Sequence, residues 1–112
     1  MLDAPSQSAR VRALNDDLRA TFTGGRIVVT AAFLSLAADL QARAMQRVRT
    51  FKDFDADNDP HHEHDMAFLE EGGERFFFKV DYYAPDMQYG SDDPADPAKT
   101  CRVMTIGLAS DY

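Results

Sequence analysis

The sequence predicts an α+β fold: a four-stranded, mostly antiparallel sheet with two helices packed on one face. Two stretches have apolar residues at steps of three and four, which is typical of amphipathic helices. Four stretches alternate or are rich in β-branched residues, which is typical of strands. With 112 residues, of which 45% are hydrophobic, the chain can bury one core but not two. We therefore expect residues 1–112 to form a single domain in the order α-β-α-β-β-β.

Two amphipathic segments account for the helices. The first is capped by Ser6 or Ser8 and runs to about Ala20, because a serine hydroxyl can accept a hydrogen bond from a free amide of the first turn. The second covers roughly residues 35–51, with its arginines largely off the apolar stripe. Residues 1–7 are expected to be disordered.

Four segments predict strands. Residues 26–30 (RIVVT) are short and β-branched, and residues 66–69 and 74–83 flank Glu71-Gly72-Gly73, a sequence typical of a hairpin turn. The last strand covers residues 101–109 and is expected beside residues 74–83. Alternation along residues 74–83 places four side chains on the core face: Phe76, Phe78, Val80 and Tyr82.

Charge is distributed unevenly along the chain. The net charge is −7, yet residues 53–96 hold 14 acidic residues against two basic ones. Part of this charge lies in a long acidic loop, residues 84–100. A surface this acidic repels phosphate backbones and favours basic partners, so we expect a basic protein or a nucleic-acid-binding complex as partner, and no direct binding of nucleic acid. The expected partner-binding residues are Asp53, Asp55, Asp57, Asp86, Asp92, Asp93 and Asp96.

The segment DNDPHHEHD (residues 57–65) holds all three histidines. On an extended backbone His62 and His64 point the same way, and with an oxygen from Asp59, Glu63 or Asp65 they could bind zinc or another divalent ion. The alternative is a turn with a purely structural role, because Asn, Asp and Pro are typical turn residues. No catalytic serine elbow or phosphate-binding loop is present.

Other features bear on compartment and partners. A single cysteine, Cys101, excludes an internal disulfide and fits a reducing compartment, so a cytoplasmic location is expected. No apolar run approaches the roughly 20 residues that cross a membrane. If the helices cover only one face of the sheet, Phe77 and Tyr83 lie on the other, where a partner or a second copy of the chain could cover them in a homodimer.

Several longer motifs resemble an uncharacterised bacterial family, the domain of unknown function 3768. They are RALNDDLRATFTGGRIVVT (12–30), NDPHHEHD (58–65), ERFFFKVDYY (74–83), DPADP (93–97) and RVMTIGLASDY (102–112). The family has no established activity, and the resemblance implies a gene often carried on plasmids and other mobile elements. It also implies that Gly is usual at position 62, which leaves His61, His64 and Asp65, with Asp59, as the candidate metal ligands.

The leading hypothesis is a small acidic interaction protein without chemistry of its own, such as a mobile-element-encoded inhibitor of a nucleic-acid-processing or defence system, of the antirestriction or anti-CRISPR type. The alternative is a metal-dependent hydrolase or nuclease that uses the cluster at residues 59–65. A third hypothesis assigns nucleic-acid binding to the basic outer faces of the two helices, for example through Arg19 and Arg47, although the net charge argues against it.

Overall fold

The computed structural model describes residues 6–112 and confirms the α+β class. In chain order the elements are α1 (Gln7–Thr21), β1 (Arg26–Val29), α2 (Ala31–Leu34), α3 (Ala38–Thr50), β2 (Met66–Glu71), β3 (Glu74–Tyr83), β4 (Cys101–Leu108) and a 3₁₀ helix (Ala109–Asp111).

The four strands form one mixed sheet in the order β1-β4-β3-β2. The pairs β2–β3 and β3–β4 are antiparallel, and β1 is parallel to β4, so the predicted sheet and the position of the last strand are confirmed. Gly72 and Gly73 join β2 to β3 with φ values of 59° and 82°. Two successive positive φ values suit the tight turns whose twist matches that of the paired strands.

Helices α1 and α3 pack on one face of the sheet. Phe76, Phe78 and Val80 point into this core from β3 as alternation predicts, and Tyr82 is half-buried on the same face. Beneath the helices they meet Met104 of β4 and other buried side chains. Burial of each such aliphatic or aromatic side chain contributes about 1.5–3 kcal/mol. This cluster is the main source of stability.

The helices differ from prediction in number and in their limits. The second helix was expected from residue 35, but the chain forms the short helix α2 first and α3 begins only at Ala38. Thr30 explains the difference, since its hydroxyl accepts a hydrogen bond from the Phe33 amide at 3.2 Å and so caps α2. The turn buries Phe33 completely.

The expected disorder of residues 1–7 is wrong at Ser6 and Gln7. Ser6 caps α1, with its hydroxyl accepting from the Ala9 amide at 3.1 Å, and Gln7 is the first helical residue. Residues 1–5 lie outside the described part of the chain. Within residues 6–112, no helix is both long enough and apolar enough to cross a bilayer.

Candidate functional site

Both acidic loops leave the same end of the sheet. Residues 52–65 lead into β2 and residues 84–100 connect β3 to β4. Met66 begins β2 opposite Lys79, four residues before β3 ends at Tyr83, and Cys101 begins β4 opposite Tyr83. The topology therefore brings together two segments that are distant in sequence. We call these two loops the acidic end.

The seven aspartates expected to bind a partner form no ion pair with Lys or Arg in residues 6–112, because no Lys or Arg nitrogen there lies within 4.0 Å of any of their carboxylates. The arginines of α3 lie elsewhere: Arg43 and Arg47 approach Glu71, at 3.8 and 3.9 Å. Helix α1 does offset part of the negative charge of the loops, because Arg10 contributes to lowering the pKa of Asp93 and Arg12 donates to the His62 carbonyl at 3.1 Å.

Four of these aspartates also hold the loops in shape. One oxygen of Asp55 accepts hydrogen bonds from two backbone amides at 2.9 Å, and Asp86, Asp93 and Asp96 each accept one from the amide two residues on, at 2.9–3.2 Å. These are Asx turns, in which the side chain replaces a backbone acceptor.

The remaining aspartates differ in having no such role. Asp53, Asp57 and Asp92 are exposed. At Asp93, by contrast, a hydrogen bond from the Gln7 side chain at 2.8 Å is the main cause of a lowered pKa of the carboxyl, to which the charges of Lys99 and Arg10 also contribute. Gln7 therefore ties the start of α1 to the second loop.

A buried polar network fastens both loops to the fold. Asn15 of α1 is fully buried, and its Nδ2 donates to the Glu63 carbonyl at 3.0 Å and to the Tyr82 hydroxyl at 2.8 Å. Its Oδ1 accepts from Arg102 Nε at 2.8 Å, and Arg102 also donates to the Pro94 carbonyl. Glu63 lies in the first loop and Pro94 in the second, so one asparagine and one arginine connect the two.

Burial shifts the pKa values of two members of this network, Tyr82 and Arg102. Burial raises the pKa of Tyr82 well above its usual range, so the hydroxyl stays protonated and donates to Glu63 Oε1 at 2.9 Å. Burial lowers the pKa of Arg102, while Tyr82 and Glu63 raise it. The guanidinium lies 5.2 Å from the centre of the Tyr82 ring, a favourable cation–π distance.

His64 is held on three sides. Its Nδ1 lies 2.8 Å from Asp16 Oδ1, its Nε2 lies 3.6 Å from Asp59 Oδ2, and its ring stacks on Phe54 at 3.9 Å and 5°. Asp59 is 3% exposed and accepts from the amides of Glu63 and His64 at 3.1 Å each. With both ring nitrogens beside carboxylates, the imidazole is placed to anchor the loop.

Comparison with known proteins identifies the family. The family model described as "Protein of unknown function (DUF3768)" matches residues 29–111, well over half of the chain. The chain belongs to the DUF3768 family. The matched region contains both acidic loops and nearly the whole sheet, whereas α1, with Asn15, lies before it. No curated protein and no solved structure matches the chain.

The candidate metal ligands are only partly brought together in this DUF3768 protein. His64 and Asp59 are adjacent, whereas His61 is exposed on the turn and Asp65 stands half-buried just before β2. In the described part of the chain, no three His, Cys, Asp or Glu side chains are grouped so that they could hold a metal ion. The metal site therefore stays a prediction from the sequence.

The sequence reasoning missed the residues that organise this end of the protein: Asn15, Asp16 and Arg102. Asn15 shares the apolar stripe of α1 with Val11 and Leu18. Arg102 lies two residues before Met104 in β4 and points to the same core face. A polar residue in an apolar stripe was the signal available, because buried polar groups require partners.

Arg19 corrects the third hypothesis. It was expected on a basic outer face of α1, but it is 6% exposed, with its guanidinium 5.1 Å from the Phe54 ring centre and 5.6 Å from that of Phe78. It also donates to Asp16 at 2.8 Å. It is therefore a core residue of the helix–loop contact and is not available to bind nucleic acid.

Proposed function

We propose that this DUF3768 protein is a cytoplasmic, non-enzymatic interaction protein whose acidic end docks on a basic partner. The observation that carries the proposal is the convergence of both acidic loops at one end of the sheet, with none of their seven partner-binding aspartates paired to Lys or Arg in residues 6–112. Such a surface attracts and orients a positively charged protein over about a Debye length.

The loops are suited to docking because they are ordered before the partner arrives. The Asx turns at Asp55 and Asp96 and the Asn15–Arg102 network hold the two loops in one arrangement. A preordered loop loses less conformational entropy on binding than a flexible one. An Asx turn uses one carboxylate oxygen and leaves the charge and the second oxygen free for a partner.

The charge of the acidic end supports a class of partner. A basic surface that normally binds nucleic acid offers its cations to phosphates, and an array of fixed carboxylates can occupy those positions instead. We therefore assign the protein as an inhibitor of a nucleic-acid-processing or defence complex, of the antirestriction or anti-CRISPR type. The mobile-element setting that the family resemblance implies supports this assignment.

A capture experiment with charge-matched variants tests the proposal. The test variant is D53N/D57N/D92N, whose three side chains make no turn contacts, and the control is D17N/E70Q/E74Q, which removes the same charge outside the acidic end. We expect wild type and control to capture the same basic protein from host extract at low salt, and the test variant to lose it. Duplex DNA should compete with the acidic end for the captured protein and so release it.

Two results would contradict the proposal. If both variants lost the partner equally, net charge alone would be responsible and the acidic end would have no special role. If capture resisted high salt and excess DNA, the contact would not be electrostatic mimicry.

The alternative, a metal-dependent hydrolase, is favoured only by the proximity of His64 and Asp59. It requires about one zinc or manganese per chain after purification, which elemental analysis measures directly. A stoichiometric metal that is lost in His64→Ala, with the far-ultraviolet circular dichroism unchanged, would favour the enzyme over the docking protein.

A further inference from the structure

The sheet has a second face, opposite the helices, which we call the open face. Lys79 and Asp81 of β3 project from its middle, beside Val103 and Thr105 of β4, and Val28 of β1 lies next to Thr105. Val28 is 43% exposed, and the side chains of Lys79 and Asp81 are 42% and 36% exposed. The end of the chain packs on part of this face, where the Tyr112 ring meets Phe68 and Phe77, and Phe77 and Val103 are only 4% and 9% exposed.

The open face is nearly neutral, unlike the rest of the molecule. Arg26, Arg75 and Lys79 project from it with Glu70 and Asp81, in a chain whose net charge is −7. A second copy of the chain would be repelled from the acidic end by like charge. The open face avoids that repulsion, because it carries basic and acidic side chains in nearly equal number.

The charge pattern of the face is complementary to itself. Lys79 pairs in register with Thr105, and Asp81 pairs with Val103 one row further along. Consider a two-fold axis that lies between two such faces, perpendicular to the strands and midway between these two rows. In this isologous interface each row of one copy lies against the other row of the second copy. Lys79 of one copy then faces Asp81 of the other, twice over.

We propose that the open face packs against the same face of a second copy, about this axis, to form an antiparallel sheet-on-sheet dimer. The two Lys79–Asp81 contacts, one within each chain at 3.3 Å, are exchanged for two contacts between chains. The acidic ends point in opposite directions, which minimises their repulsion. The inference is independent of the proposed function, because the open face does not include the acidic end.

The size of the face limits the strength of the dimer. Four strands spaced about 4.8 Å apart and averaging about 24 Å in length present at most roughly 450 Å² on each copy, part of which the Tyr112 ring already covers. The total is therefore at most roughly 900 Å², below the about 1,200 Å² at which specific interfaces usually begin. We therefore expect a weak, reversible dimer that forms as concentration rises through the micromolar range.

Sedimentation velocity on the full chain tests the proposal. Wild type should shift reversibly from the 12.5 kDa monomer towards twice that mass as concentration rises. Lys79→Asp and Asp81→Lys should each weaken association about ten-fold or more, because each places like charges opposite one another, and the double swap K79D/D81K should restore it. Circular dichroism and thermal midpoints confirm that these half-exposed substitutions leave the fold intact.

Each contrary result overturns the proposal. A wild type that stays monomeric at high micromolar concentration shows that a second copy does not occupy the face. Association that ignores the single swaps, or that the double swap does not rescue, places the contact elsewhere.

The orientation has its own test. Cys101 lies about three residues from the axis, so the two sulfurs of the antiparallel dimer are roughly 20 Å apart, too far for a disulfide. Mild oxidation should therefore leave the dimer free of an inter-chain bond, and rapid formation of that bond would refute the antiparallel arrangement.

Discussion

Replacing Asn15 by alanine should remove the connection between α1 and both acidic loops. The side chain is fully buried and makes three hydrogen bonds: two as a donor, to the Glu63 carbonyl and the Tyr82 hydroxyl, and one as an acceptor, from Arg102 Nε. Alanine satisfies none of them and leaves a charged donor buried beside a small cavity. The substitution therefore tests whether this network holds the two loops.

The expected cost follows from these contacts. The hydrogen bond to the charged Arg102 contributes about 1.5–3 kcal/mol and each neutral bond about 0.5–1.5 kcal/mol. Because such contributions are not additive, we expect a loss of about 3–5 kcal/mol in the free energy of unfolding. This is a large share of the about 5–15 kcal/mol typical of a domain.

Urea unfolding followed by far-ultraviolet circular dichroism measures this loss, since the chain has no tryptophan. Asn58→Ala is the matched control: Asn58 also donates to a backbone carbonyl and accepts from a backbone amide, but it is exposed, so we expect about 1 kcal/mol or less. A double-mutant cycle with Tyr82→Phe should show coupling of about 0.5–3 kcal/mol. A loss of under about 1 kcal/mol for Asn15→Ala would refute the network as the anchor of the loops.

Three further predictions concern the same fold. Burial raises the pKa of Tyr82, so its protonated hydroxyl contributes fully to stability below about pH 10, the pKa of a tyrosine in the unfolded chain, and this contribution is lost as the pH rises further. Tyr82→Phe should therefore flatten the fall of the free energy of unfolding at alkaline pH. An unchanged fall would contradict this prediction. Gly107→Ala should lower the free energy of unfolding in urea by about 1–3 kcal/mol, because the new Cβ would lie 2.6 Å from Thr30 Cγ2. Gly90→Ala is the control and should change stability little, because its new Cβ would have no atom nearer than 3.8 Å. Equal effects of the two substitutions would show that crowding is not the cause. Asp59→Ala should cost about 2–4 kcal/mol by the same measurement, because two amide donors at 3.1 Å lose their acceptor, while Asp59→Asn keeps an acceptor oxygen and should retain most of that stability.

Local patterns predicted most of the fold because each pattern depends on neighbours in sequence. Alternation placed Phe76 and Phe78 in the core, and the paired glycines at 72 and 73 marked the hairpin. The break between α2 and α3 was missed because a four-residue helix has too few residues for a recognisable period, so its cap at Thr30 was the only signal.

The candidate site was less accessible to sequence reasoning, because its contacts join residues far apart in the chain. The acidic loops were recognisable from composition, and their convergence follows from the β2–β3 hairpin, because the start of its first strand and the end of its second strand lie at the same end of the sheet; the contacts that fasten them there were not recognisable. Asn15 and Arg102 are 87 residues apart, and only their positions within apolar patterns set them apart from surface residues. A polar residue within an apolar pattern indicates that it has a hydrogen-bonding partner in the fold, but it does not identify that partner.

The acidic loops combine two properties that usually conflict, and their chemistry explains how. Concentrated negative charge destabilises a folded chain through self-repulsion, so loops this acidic would be expected to unfold locally. Here one oxygen of Asp55, Asp86 or Asp96 is used by a backbone amide, and the repulsion is offset by turns that the same residues create. Asparagine would make the same turns without charge. A structural role alone therefore does not account for the use of aspartate at all of these positions; the charge itself serves either solubility or the docking on a basic partner that we propose.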